Sequence, residues 1–111
     1  MKKINEILEV ANSAYGLNLT RNNLRVILYP IKAAGIVTPR RSEYSDEDFV
    51  YIDTVLRYRA KGFSYPEAYE QGIKEVYGEQ SDQYKKYIEW RKNQQEKERI
   101  NYTHLKRCGI R

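Results

Sequence analysis

Read from its start, the chain sets apolar residues at helical spacing. Ile4, Ile7, Leu8, Ala11 and Ala14 form one stripe, and Gly16 stands where a helix C-terminal glycine would. Thr20 then offers an N-cap, with Leu19 before it able to staple onto Leu24. Leu24, Ile27, Leu28, Ile31 and Ala34 continue as a single apolar stripe that ends at Gly35. At 100° per residue, Arg21, Arg25 and Lys32 fall in a narrow band beside that stripe, and Asn22 and Tyr29 lie just beyond it. Pro30 lacks an N–H and crowds the preceding turn, so the pattern predicts a kink there or two short helices.

Between Gly35 and Tyr44 no helical period survives, and Ile36-Val37-Thr38 favours extended backbone. A small strand and a tight basic turn through Arg40 and Arg41 are expected. Ser45 caps the next helix, whose first turn, Asp46-Glu47-Asp48, suits the helix dipole. Phe49, Ile52, Leu56 and Ala60 are its apolar side, and Gly62 closes it. Ser64-Tyr65-Pro66-Glu67 carries the serine and glutamate of a capping box with proline in the first turn, and Ala68, Ile73, Val76 and Tyr77 carry that helix to Gly78. After Ser81 one more helix is expected, its apolar positions Tyr84, Tyr87, Ile88, Tyr102 and Leu105 interrupted by the polar run from Arg91 to Arg99. Ile88 and Tyr102, two heptads apart, offer a sparse pairing seam. No repeat or Pro/Ser-rich linker divides the chain, which reads as a unit over residues 1–78 and a basic helical tail over 79–111.

Composition narrows the class. The chain has 111 residues, 41% of them hydrophobic and 14 of them aromatic, enough for one core and too apolar for disorder. A single cysteine, Cys108, allows no internal disulfide, and with only His104 beside it no zinc set is expected. No apolar run suits a signal peptide or a membrane span, so a cytoplasmic protein is expected. Carboxylates cluster at helix starts, where capping explains them, and nothing pairs a nucleophile with a base, so no enzyme and no cofactor is expected.

Charge is unevenly divided. Residues 1–45 carry seven Lys/Arg against three Asp/Glu, residues 46–82 four against nine, and residues 83–111 nine against three, within a total of +5. Basic ends around an acidic middle suit a polyanion partner.

The stretch Tyr44-Ser45-Asp46-Glu47-Asp48-Phe49, then Ile52 and Val55, then Lys61-Gly62-Phe63-Ser64 with Glu67-Ala68, resembles the DNA-binding domain of the MerR family of bacterial regulators. That family reads Y-S-x-x-D-[LF], apolar positions, then G-[FY]-S-x-x-E-[IA]. Gly35-Ile36-Val37-x-Pro39 with Arg40-Arg41 is similar to its G-L-[LI]-x-P-x-R, and Leu24-Arg25 or Tyr29 to its L-R-Y. The likeness covers about residues 4–78, with a longer second helix and a wing trimmed to Arg41-Ser42-Glu43. It implies a mainly α fold, a winged helix-turn-helix with a short two-stranded wing and a C-terminal helix. It also implies double-stranded DNA as partner and a homodimer joined through that helix. Either Arg25 or Tyr29 would fill the family's DNA-facing position.

Within such a fold each candidate has a chemical role. Arg can pair with guanine O6/N7 and Asn with adenine N6/N7 in the major groove, so Arg21, Asn22, Asn23 and Arg25, behind the Thr20 cap, are the expected base readers. Tyr29 and Lys32 are expected near phosphates, as are Arg40 and Arg41, which would position the protein without reading sequence. Asn22 and Asn23, taken singly, equally suit a plain helix start. Most of the eleven tyrosines are expected in the core or at its rim with their hydroxyls wet, Tyr29 being the exception. A sequence-specific transcriptional regulator is the first expectation. An accessory DNA-binding protein of a phage or mobile element, or a protein-docking module with a basic tail, are the alternatives.

Overall fold

The computed structural model describes residues 1–94, and it is mainly helical. Strand β1 (Lys2–Lys3) leads into α1 (Ile4–Ser13), followed by α2 (Arg21–Ala33), β2 (Glu43–Tyr44), α3 (Asp46–Ala60), α4 (Tyr65–Val76) and α5 (82–94). The core gathers Ile7 and Ala11 from α1, Leu24, Leu28 and Ile31 from α2, Tyr51, Ile52, Val55 and Leu56 from α3, Ala68 and Ile73 from α4, and Tyr87 from α5.

Local chemistry explains the helix starts. The Thr20 hydroxyl accepts from the Asn23 amide at 3.1 Å while the Asn23 side chain accepts from the Thr20 amide at 3.1 Å, a reciprocal cap. Ser45 accepts from the Asp48 amide, and Ser64 from the Glu67 amide. The connection between α1 and α2 is clamped by Asn12, whose side-chain amide donates to the Leu19 carbonyl at 3.0 Å and accepts from the Leu19 amide at 2.6 Å. One side chain there does the work of a paired strand, satisfying both backbone groups of a residue outside any helix.

α2 runs undivided through Pro30, contrary to the two short helices the proline allows. The carbonyl left without its helical donor belongs to Val26, a residue 73% exposed, where water can take the donor's place.

The stretch 36–38 is not the expected strand. Ile36 and Val37 are buried, their amides donating to the Ile31 carbonyl at 2.9 and 3.3 Å, so they plug the end of α2 and take no place in a ladder. β2 instead pairs antiparallel with β1, Lys2 opposite Tyr44 and Lys3 opposite Glu43, a partner that two lysines gave no reason to expect. Arg40 and Glu43 exchange both backbone hydrogen bonds, at 3.0 and 2.9 Å, across a two-residue turn in which Arg41 and Ser42 have φ of 52° and 64°. Both central residues in the left-handed region is the turn geometry that matches strand twist.

α3 is buried on two sides, against α1 and against α4, which adds Tyr51 and Val55 to its core residues and leaves Ala60 exposed. Asp48 is buried too, its carboxylate accepting from the Thr38 amide at 3.0 Å and tying the loop after α2 to the start of α3. α4 approaches α3 closely because Gly72 has no side chain: a Cβ there would lie 3.0 Å from Tyr51 Cε1 and 3.2 Å from Val55 Cγ2. Three of the buried tyrosines do not leave their hydroxyls to water. Tyr51 donates to the Tyr69 carbonyl at 3.0 Å, Tyr69 to the Ile27 carbonyl, and Tyr87 to the Pro66 carbonyl at 3.3 Å. Tyr87 and its neighbour Trp90, with ring centroids 6.4 Å apart, make the start of α5 part of the same core. Tyr102, Leu105, His104 and Cys108, and with them the second half of the pairing seam, lie outside the described residues.

Candidate nucleic-acid interface

The face of α2 opposite its buried stripe is built by default. With Leu24, Ile27, Leu28 and Ile31 committed to the core, a helix period turns Asn22, Arg25, Val26, Tyr29 and Lys32 outward, and all five are exposed. The helix is held from behind by the Tyr69 hydroxyl on the Ile27 carbonyl and at its start by the Asn12 clamp, so the direction of that face is fixed by bonds made elsewhere.

The nine expected residues divide into three groups. Thr20 and Asn23 are exposed, and their side chains bond each other's backbone amides in the cap. Arg21 is drawn sideways: its guanidinium donates through Nε, at 3.0 Å, and through Nη2 to Asn5 Oδ1 on α1, so it joins two helices at their surface. Asn22, Arg25, Tyr29, Lys32, Arg40 and Arg41 have no side-chain hydrogen bond or ion pair to any described residue.

Three of that last group are brought together with the turn. Arg25, Tyr29 and Lys32 line a cleft of about 470 Å³ whose far wall is Pro39, Ser42 and Tyr44, placing the outward face of α2 and the Arg40–Glu43 turn on either side of one opening. Arg41 is exposed at the tip of that turn, where it and Ser42 take the left-handed backbone the turn requires. Asn23 is on the other flank. It borders a separate depression of about 640 Å³ with Leu17, Leu19, Val26, Arg59 and Tyr65, where the Arg59 guanidinium sits 5.0 Å over the Tyr65 ring and donates to the Phe63 carbonyl at 3.1 Å.

The cations of the acidic middle are largely occupied. Arg57 pairs with Glu75, whose carboxyl is held below its usual range first by the Tyr58 hydroxyl that donates to it at 2.8 Å and then by Arg57. Lys61 lies 5.3 Å from the Tyr58 ring centroid. Among the described residues, Arg25 and Lys32 on α2 and Arg40 and Arg41 in the turn are left without an ion pair, and so are Lys85, Lys86 and Lys92 on α5.

Two residues of this surface were not among the expected ones. Asn5, Arg21's acceptor, sits on α1 with nothing in its spacing to mark it. Val26 is the other: an apolar side chain at the outward centre of α2, legible in the sequence as the one β-branched residue lying off the buried stripe.

Among the described residues no three His, Cys, Asp or Glu side chains converge as metal ligands, and no helix is long and apolar enough to cross a membrane. Compared with protein-family models, with curated proteins and with solved structures, the chain matches none of them.

Proposed function

We propose that the chain is a sequence-specific double-stranded DNA-binding protein of winged helix-turn-helix type, with α2 in the major groove and the Arg40–Arg41 turn on phosphates. The observation that carries this reading is the shared cleft. Arg25, Tyr29 and Lys32 face it from the helix, and Pro39, Ser42 and Tyr44 wall its other side, next in the chain to the exposed Arg40 and Arg41, so that one duplex could meet both. Arg25 and Asn22 are its base readers, by bidentate pairing with guanine and adenine edges. Tyr29, Lys32, Arg40 and Arg41 hold phosphates. Thr20, Asn23 and Arg21 leave the reading surface in this assignment, because capping and Asn5 occupy them. The role is transcriptional regulation or an accessory DNA function of a mobile element.

Salt titration of duplex binding is the test. Each phosphate contacted should contribute about −0.9 to the slope of log K against log salt. Arg25→Ala should weaken a preferred site by about 1–3 kcal/mol and leave random duplex less affected, whereas Arg41→Ala should weaken both. A duplex pool that shows no salt-dependent binding refutes the proposal, and equal losses for the two variants refute the division of roles.

The same reading includes a homodimer through the C-terminal helix, favoured by a shallow groove of about 340 Å³ on α5 between Tyr84, Ile88 and the stems of Lys85 and Lys92. Sedimentation of the full chain against Ile88→Asp checks it. An unchanged monomer in both removes the dimer.

A further inference from the structure

α2 presents more than cations. Asn22, Val26, Tyr29 and Ala33 recur at i, i+4, i+7 and i+11, so they lie along one line within a band of about 60° on the outward face. All four are exposed, Val26 to 73% and Tyr29 to 66%. Along that line Tyr29 is the one bulky side chain, with Ala33 small again beyond it. Asn22 and Val26 are short, so the first half of the helix can approach a groove floor closely, while Tyr29 stands off one turn later. Close approach by the N-terminal half is the geometry in which a helix touches base edges.

Val26 lies mid-way along the short-side-chain half of that line, 73% exposed and bordering the depression that Asn23 and Arg59 share. It offers no hydrogen bond, and Arg25 beside it on α2, with Lys32 further along and Arg40 and Arg41 in the turn, supply the charge a polyanion needs. The major groove displays one apolar group, the C5-methyl of thymine. Resting on the DNA-binding reading above, we infer that Val26 is a specificity-determining residue that packs against a thymine C5-methyl, beside the edge that Asn22 and Arg25 read. Its branched Cβ places two methyl groups close to the helix axis with a single stiff torsion, which suits a fixed contact at short range.

The test removes one methyl from the DNA and leaves base pairing intact. A duplex selected from a random library by the full chain is resynthesised with deoxyuridine in place of each thymidine in turn. Wild-type protein should lose about three- to five-fold in affinity at one or two positions, the worth of one buried methyl-sized group. Val26→Ala, at an exposed site where the fold has nothing to lose, should bind more weakly and show no further loss on those same duplexes. Wild-type binding that is salt-dependent but indifferent to every deoxyuridine overturns the inference and leaves the DNA reading standing. So does a full deoxyuridine penalty retained by Val26→Ala, which would assign the methyl to another side chain. Failure to bind any duplex overturns both. A wild-type dimer that Val26→Asp converts to a monomer would assign the valine to a second copy of the chain, and that result also overturns it.

Discussion

The Asn12 clamp gives the sharpest test of how the helix pair is built. Asn12→Ala removes a donor and an acceptor together and leaves the Leu19 carbonyl and amide without partners. A typical internal hydrogen bond nets about 0.5–1.5 kcal/mol, and a partner left unsatisfied costs more where it is buried. Both residues are half-buried, so water recovers part of the loss and the sum is about 2 kcal/mol. For a domain of this size that lowers the melting temperature by roughly 10 °C. Asn12→Asp keeps the acceptor facing the Leu19 amide and loses only the donor. It should therefore retain slow hydrogen exchange at that amide while still melting below wild type. Circular dichroism melts read the first quantity, and amide exchange by NMR reads the second. An alanine variant that melts within about 1 °C of wild type, or one in which the Leu19 amide stays as protected as before, would show that the connection is held by its neighbours and not by Asn12.

Two further outcomes follow from the packing. Gly72→Ala would stabilise an ordinary helix by about 1 kcal/mol, but here the new Cβ meets Tyr51, which is fully buried and has nowhere to move, so a net loss of about 1 kcal/mol is expected in denaturant titration. A higher midpoint would refute the close α3–α4 contact. Burial, aided by the bond to Asp53, raises the Tyr15 phenol from 10.0 to about 12, and burial with Asp48 nearby raises Tyr77 to about 12. Burial pushes Tyr51 and Tyr69 higher still. The unfolded chain ionises these phenols first, so their contribution to stability is whole below about pH 10 and is lost as pH climbs through about 12. Denaturation midpoints flat across that range, with tyrosinate absorbance rising before unfolding, would contradict it.

Much of the helical frame is legible because its signals are local. Thr20, Ser45 and Ser64 each accept a hydrogen bond from the amide three residues on, and a cap needs no knowledge of the rest of the chain. The stripe of α2 is equally direct. What escaped depends on partners distant in sequence. Ile36 and Val37 have strand chemistry and are spent as plugs beneath α2, because a core needs apolar volume there more than a ladder needs a strand. Lys2 and Lys3 form a strand because Glu43 and Tyr44 offer them free edges. On the candidate interface, outward direction was readable from the helix period, but occupancy was not. Arg21 carries the same guanidinium as Arg25 and is engaged by an asparagine sixteen residues away. The tyrosines show the same limit, since a hydroxyl that seeks a carbonyl across the core leaves no trace in spacing.

One of those hydroxyls reaches beyond stability. The Tyr69 bond ends on the Ile27 carbonyl, in the middle of the helix whose opposite side meets solvent. The bearing of Asn22, Arg25 and Val26 is thereby set from the interior, as a preorganised angle whose entropy is lost at folding and not again at association. Phenylalanine at position 69 would preserve the volume and nearly all of the packing, yet remove one of the bonds that fix the rotation of α2. A Tyr69→Phe chain that melts close to wild type but separates preferred from random duplex less well is what such a hinge of aim looks like in an assay. On the DNA-binding reading proposed above, discrimination can then drift through the core, at a residue the duplex does not touch.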